Sequence, residues 1–154
     1  YLNKPFNMKV LKSHLNQLIT SRQILFDKYF TDINDNIDSK NTTSLDKQFI
    51  TNILSYINDN INDEKLNVEH LAGELFLSRS KLYRKIKALT GETANEFIRK
   101  VRLKKAKQII QNSNYTISEV CYKVGISSPS YFTKWFKDHF GVLPTEIREK
   151  IEVN

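Results

Sequence analysis

Metal or acid–base chemistry would need histidines, cysteines or carboxylates grouped at ligand or hydrogen-bond spacing, and the 154-residue chain does not group them that way. His14, His70 and His139 are scattered and share no ligand spacing with Cys121, and no Gly-rich phosphate loop or nucleophile motif accompanies them. No catalytic residue, metal, other cofactor or small-molecule ligand is therefore expected. What the residues can do is hold phosphate. Between positions 79 and 107 lie Arg79, Lys81, Arg84, Lys85, Lys87, Arg99, Lys100, Arg102, Lys104, Lys105 and Lys107 against only Glu92 and Glu96, a net +9 in a chain whose total is +7. The rest of the chain thus carries −2. Such a charge run is either a solvated helix face or a surface for a polyanion, and the elements that carry it must separate the two.

Those elements read as helices throughout. Only 4 Gly and 3 Pro occur, apolar residues recur at three and four, and no window alternates with period two, which predicts an all-α fold. From Met8 to about Phe30, Leu11, Leu15, Leu18, Arg22, Leu25 and Tyr29 form a short heptad seam. It reads equally as packing on a neighbouring domain or as a parallel coiled coil, with Leu11, Leu15, Leu18 and Leu25 as dimerisation residues. Residues 31–45 form a polar linker, and residues 46–154 form the main body. There, Asp46 to Ile61 carries one apolar stripe. A short helix runs from Val68 to about Phe76 behind an Asn67 cap, and Ser78 opens a helix that Gly91 closes. Thr93 with Glu96 and Thr116 with Glu119 are capping boxes, starting a long helix through Gln111 and a short one ending near Val124. Ser128 with Pro129 opens a helix that ends at Gly141, and Pro144 opens the last.

The body repeats itself. Leu71 to Ser78 overlays Val120 to Ser127 at an offset of 49, and with one residue inserted Leu82 to Lys87 overlays Phe132 to Lys137 and Gly91 overlays Gly141. Each copy is a short helix, a tight turn and a longer helix. A small residue in the first helix, Ala72 or Cys121, allows the close crossing of helix-turn-helix geometry. The first unit spans about 68–91, the second about 117–141, and the helix over 93–111 connects them. Cys121 is accordingly expected in the core.

Two such units suit double-stranded DNA, because a helix fits the major groove and its N-terminal residues meet base edges while nearby cations meet phosphates. The outward positions are Arg79, Ser80, Tyr83, Arg84 and Lys87 on one second helix and Ser130, Tyr131, Thr133, Lys134 and Lys137 on the other. Arg79, Ser80, Tyr83, Arg84, Ser130, Tyr131, Thr133 and Lys134 are the candidate base readers. Lys81, Lys87, Lys104 and Lys137 are the candidate phosphate contacts. Leu82, Ile86 and Leu89 face inward on the first helix, and Phe132, Trp135, Phe136 and Phe140 form the core or its edge on the second.

These residues resemble the AraC-type (AraC/XylS) transcription regulators, over about Asp46 to Ile151. The markers are Leu71-Ala72, Ser78-Arg79-Ser80-Lys81-Leu82, Phe97-Ile98 with Arg102-Leu103 and Ala106, and Val124 through Phe132 with Phe136, Phe140-Gly141 and Pro144. Ala94 departs from the family's first repeat, which often has Pro there. The resemblance implies two half-sites, one read by Arg79, Ser80, Tyr83 and Arg84, the other lying under Pro129, Ser130, Tyr131, Thr133 and Lys134. Tyr1-Leu2-Asn3-Lys4-Pro5-Phe6 is similar to the end of a response-regulator receiver domain, whose Lys contacts the phosphorylated aspartate. Together the segments resemble the C-terminal part of the hybrid two-component regulators of Bacteroides-type bacteria, which implies a longer membrane-sensor parent, many of whose kind respond to glycans. On that basis receiver phosphorylation pairs two copies into a homodimer that activates transcription, with RNA polymerase as a further partner.

Cys121 is the sole cysteine, so no intrachain disulfide forms, and neither a secretory signal nor a long apolar run is present. A reducing cytoplasm is expected for this segment, with the parent anchored in the inner membrane. The competing class is a helical dimerisation or protein-interaction module with only non-specific nucleic-acid affinity. Against it stands the charge on one second helix and the connecting helix, where a protein interface would deplete charge. RNA is disfavoured because a helix cannot read the A-form major groove.

Overall fold

The computed structural model describes residues 44–152, with side chains through residue 149. The expected helix over 8–30, its leucine seam and the linker through residue 43 lie outside the described residues. The chain divides into two compact units, residues 1–55 and 56–154, and the division falls within the first described helix, α1 (Ser44–Asp59). Within the first unit, Phe49, Ile50, Ile53 and Leu54 of α1 are buried.

The second unit contains six further helices: α2 (Val68–Glu74), α3 (Arg79–Thr90), α4 (Ala94–Asn112), α5 (Ile117–Lys123), α6 (Pro129–Phe140) and α7 (Pro144–Glu152). Among the described residues there is no strand, and the fold is two tandem helix-turn-helix units joined by α4. The starts follow the sequence's capping chemistry. Asn67, Ser78, Thr93, Thr116 and Ser128 each accept the backbone N–H of the third residue of the helix they open, and both capping boxes close reciprocally. Gly91 and Gly141 end α3 and α6 at φ 72° and 73°, a left-handed conformation that only glycine adopts without penalty. Ala94 is fully buried at the first position of α4, which begins without the family's proline.

Boundaries differ from expectation by one or two residues. The short helix α2 stops at Glu74 instead of about Phe76, because the chain leaves the helix through Leu75 and turns at Phe76 with φ 52°. Helix α1 stops at Asp59, where Ile61 N–H already bonds Asn58 O in a turn.

Helix α4 is the hub, packing against α3, α5, α6 and α7. The second repeat closes around a core of Leu103, Ala106, Ile110, Val120, Cys121, Val124, Ile126, Phe132, Phe136 and Ile147. Phe136 stacks at a tilt on Phe132 (5.6 Å) and Phe140 (4.6 Å), which supplies more than area burial alone. Cys121 is wholly buried and its thiol donates to Ile126 O at 2.9 Å. Burial pushes its pKa up to about 11, so it packs as a small hydrophobe rather than a reactive thiol.

Candidate nucleic-acid interface

The two turns that place the second helices are built by the same hydrogen bonds. In the first, Leu75 N–H bonds Leu71 O (3.1 Å), Phe76 N–H bonds Gly73 O (3.1 Å) and Leu77 N–H bonds Ala72 O (2.9 Å). Forty-nine residues on, Val124 bonds Val120 (3.1 Å), Gly125 bonds Tyr122 (3.0 Å) and Ile126 bonds Cys121 (3.1 Å). Both chains pass through a left-handed residue, Phe76 at φ 52° and Gly125 at φ 69°. The repeat is therefore one of backbone geometry as well as sequence, up to the one residue by which the second turn is longer before its cap, Ser128 against Ser78.

Helix α3 carries Arg79, Lys81, Arg84, Lys85 and Lys87 and no carboxylate. Leu82 and Ile86 are buried and Leu89 is half-buried, so Arg79, Ser80, Lys81, Arg84 and Lys87 stand exposed on the opposite face. Arg79 pairs with Glu69 of α2 at 2.6 Å and lies 5.5 Å over the Tyr83 ring. An exposed pair of this kind is weak, so a phosphate or base can displace it. Tyr83 is half-buried, its hydroxyl accepting from Asn95 Nδ2 at 3.4 Å. Lys87 Nζ caps the end of its own helix, donating to Gly91 O at 2.5 Å.

On α6, Ser130, Tyr131, Lys134 and Lys137 are exposed and Thr133 is half-buried. Tyr131, 60% exposed, stacks on Trp135 at 5.6 Å, and the Arg99 guanidinium of α4 covers Trp135 at 5.1 Å. The sequence placed Trp135 only in the core or at its edge. Its four-residue step from Tyr131 was the available signal for this ladder of two rings and a cation, which reaches from the start of α6 back to α4. The end of α3, the first turns of α4 and the second half of α6 converge on one open cleft of about 440 Å³, lined among others by Lys87, Glu92, Arg99, Lys100, Trp135 and His139. Within it Lys100 Nζ donates to Glu92 Oε1 at 2.7 Å.

Two of the cations counted in the charge run are turned inward. Arg102 is 8% exposed, its guanidinium bonded to Gly125 O and Asp63 O. Lys104, a candidate phosphate contact, is half-buried with Nζ shielded from solvent. The surface charge is correspondingly concentrated on α3.

A duplicated helix-turn-helix with a carboxylate-free, cationic second helix in the first copy defines a nucleic-acid-binding protein of the tandem type. Comparison with known proteins makes this specific. A family model described as a helix-turn-helix domain matches residues 71–150. An AraC-type DNA-binding regulator structure from Chromobacterium violaceum superposes with TM-score 0.65 at 26% identity, over 71% of this chain and 96% of that one. The C-terminal domain of AraT, a response regulator from Geobacillus stearothermophilus, gives 0.61 at 27% identity, over 66% and 84%. Histidine kinase P4 of Formosa agariphila is 33% identical over 150 residues, which are 97% of this chain and 11% of that protein. The chain belongs to the AraC-type helix-turn-helix family of transcription regulators. It spans from 11% to 34% of the length of the curated relatives it matches. Among the described residues no helix is long and apolar enough to cross a membrane, and no cluster of three His, Cys, Asp or Glu could hold a metal ion.

Proposed function

We propose that this chain is the DNA-reading output module of a hybrid two-component regulator and binds two short half-sites in successive major-groove turns of double-stranded DNA. The observation that carries the reading is the repeated turn, which leads into each of the two second helices, α3 and α6, whose Arg79, Ser80, Ser130 and Tyr131 are exposed near their N-terminal ends. Helix α4 has 19 residues, about 28 Å at 1.5 Å per residue, commensurate with the ~34 Å between successive major-groove turns on one DNA face. Arg79, Ser80, Tyr83 and Arg84 meet base edges of one half-site, with Arg84 suited to fork onto a guanine. Ser130, Tyr131, Thr133 and Lys134 meet the other. Lys81, Lys87 and Lys137 contact phosphates. No catalytic step is assigned to this segment.

The similarity to a histidine kinase over nearly the whole chain supports a parent with a kinase part; we infer with it a receiver part and an anchor at the inner membrane, with this module in the cytoplasm. In that parent, phosphorylation pairs two copies through Leu11, Leu15, Leu18 and Leu25, recruits RNA polymerase and activates genes such as those for glycan use. Sedimentation of residues 1–154 beside residues 46–154 tests the pairing, and identical monomers at high concentration refute it.

The reading itself is tested by titrating Arg84→Ala and Lys134→Ala against a bound duplex in which each half-site is varied in turn. Each variant should lose about 1–3 kcal/mol of discrimination at one position of its own half-site. Equal losses on every sequence would refute base reading and favour a protein-interaction module with non-specific nucleic-acid affinity.

A further inference from the structure

The buried guanidinium of Arg102 joins two turns that belong to different repeats. Its Nη1 donates to Gly125 O at 2.7 Å, in the turn of the second helix-turn-helix, and its Nη2 donates to Asp63 O at 2.6 Å, in the loop that leads into the first. That loop is itself rigid. Asp63 O also accepts from Leu66 N–H, Asp63 Oδ1 accepts from Lys65 N–H, and Leu66 is buried immediately before the Asn67 cap of α2. Both acceptors are main-chain oxygens, so the fork registers backbone against backbone with no side chain to give way. A buried cation without such partners would be strongly unfavourable, and a guanidinium stays charged even where burial lowers its pKa.

The contact depends on Gly125. A Cβ there would lie 2.6 Å from Ile61 O and 3.0 Å from Arg102 Nη2, so only glycine lets the second turn approach the Asp63 loop this closely. The matching residue of the first turn, Phe76, is 96% exposed. The joint is thus one-sided: the turn of the second helix-turn-helix is docked on the loop that leads into the first, at the middle of the helix that connects them.

We propose that Arg102 is a positioning residue that sets the angle between the two helix-turn-helix units and hence the half-site spacing the chain accepts. The proposal rests on the bipartite DNA reading above. One base pair added between half-sites moves the second by about 3.4 Å and turns it by about a tenth of a helical turn, which a rigid joint cannot follow and a loosened one can.

Two measurements test it, on Arg102→Met, which removes the fork, and on Arg102→Lys, which keeps the charge but not the fork. The first is the distance distribution between spin labels at exposed Glu74 on α2 and Ser118 on α5, without DNA. The second is affinity for each half-site alone and for both at the selected spacing or one or two base pairs away. The wild type should show a narrow distribution and lose about tenfold in affinity per base-pair change, within the usual range of coupling between sites. Both variants should broaden the distribution, keep half-site affinity and flatten the spacing preference to about twofold or less. A folded variant with wild-type distances and spacing preference would overturn the proposal. So would failure of both variants to fold, since Arg102 would then hold the fold together instead of setting an angle. Distances that broaden while the wild type shows no preference for paired half-sites would leave the joint standing and refute the bipartite reading.

Discussion

Phe76→Gly should stabilise the protein although it removes a large apolar side chain. Phe76 sits at φ 52° with 96% of its surface exposed. The side chain therefore contributes almost no burial that the substitution could remove. Releasing a non-glycine residue from the left-handed region recovers about 1–2 kcal/mol, and the freer unfolded chain of the glycine variant takes back about 0.4–1 kcal/mol. The net gain is about 0.7 kcal/mol, which for a unit of this size raises Tm by about 3–5 °C. Gly125→Ala at the matching position should act oppositely. It adds the left-handed penalty and forces a Cβ to within 2.6 Å of Ile61 O, for a net loss of about 2–3 kcal/mol and a Tm lower by about 10 °C or more. Thermal unfolding followed by far-ultraviolet circular dichroism, with urea unfolding as a second probe, reads both. A Phe76→Gly variant that is no more stable than wild type, or is less stable, would refute the reasoning and show that the ring makes contacts that offset its strain.

Lys137→Ala should weaken binding to all duplexes about equally and reduce the magnitude of the slope of log affinity against log salt by about 1, as loss of one phosphate contact requires; an unchanged slope would remove Lys137 from the interface. The carboxylates of Glu96 and Glu119 are held below the usual range by hydrogen bonds from Thr93 and Thr116. Their folded-state pKa is depressed, so they contribute stability above the unfolded carboxylate pKa and lose it as pH falls through the folded value. Glu119→Gln should accordingly flatten the acid limb of a stability-versus-pH curve, and an unaltered limb would exclude the capping box as a source of it. The Cys121 thiol, buried with a pKa of about 11, should react with a disulfide reagent at neutral pH only as fast as the protein opens, and denaturant should accelerate it strongly. Fast labelling of the native protein would contradict the core placement.

The helices were legible because their ends are written in local chemistry. Thr93 with Glu96, Thr116 with Glu119, Ser128 before Pro129, and Gly91 and Gly141 all act within a few residues of themselves, and the offset of 49 carried the turn from one repeat to the other. Less legible was whatever depends on which face is buried. Arg102 counted as surface charge in the sequence, yet it falls four residues from both Ile98 and Ala106, on the stripe that faces inward, so its position announced the burial that its type concealed. Lys104 likewise falls three residues after Val101 and seven after Phe97, both buried, so its position carried the same signal. Phe76 carries no side-chain cue for a left-handed turn, since phenylalanine disfavours it; only its alignment with Gly125 pointed there. The stacking of Tyr131 on Trp135 follows from their four-residue step within α6, but the Arg99 guanidinium over Trp135 needed the α4–α6 packing, which is a tertiary fact.

The central claim is bipartite major-groove reading, and it is tested most directly by selecting bound DNA from a random duplex pool with this chain and titrating the winner across salt concentrations. The account predicts two short conserved motifs about 10 base pairs apart, centre to centre, with log affinity falling by about 0.9 per phosphate contact for each log unit of salt. Binding that is weak, salt-sensitive and indifferent to sequence would contradict it, leaving α3 a purely electrostatic surface.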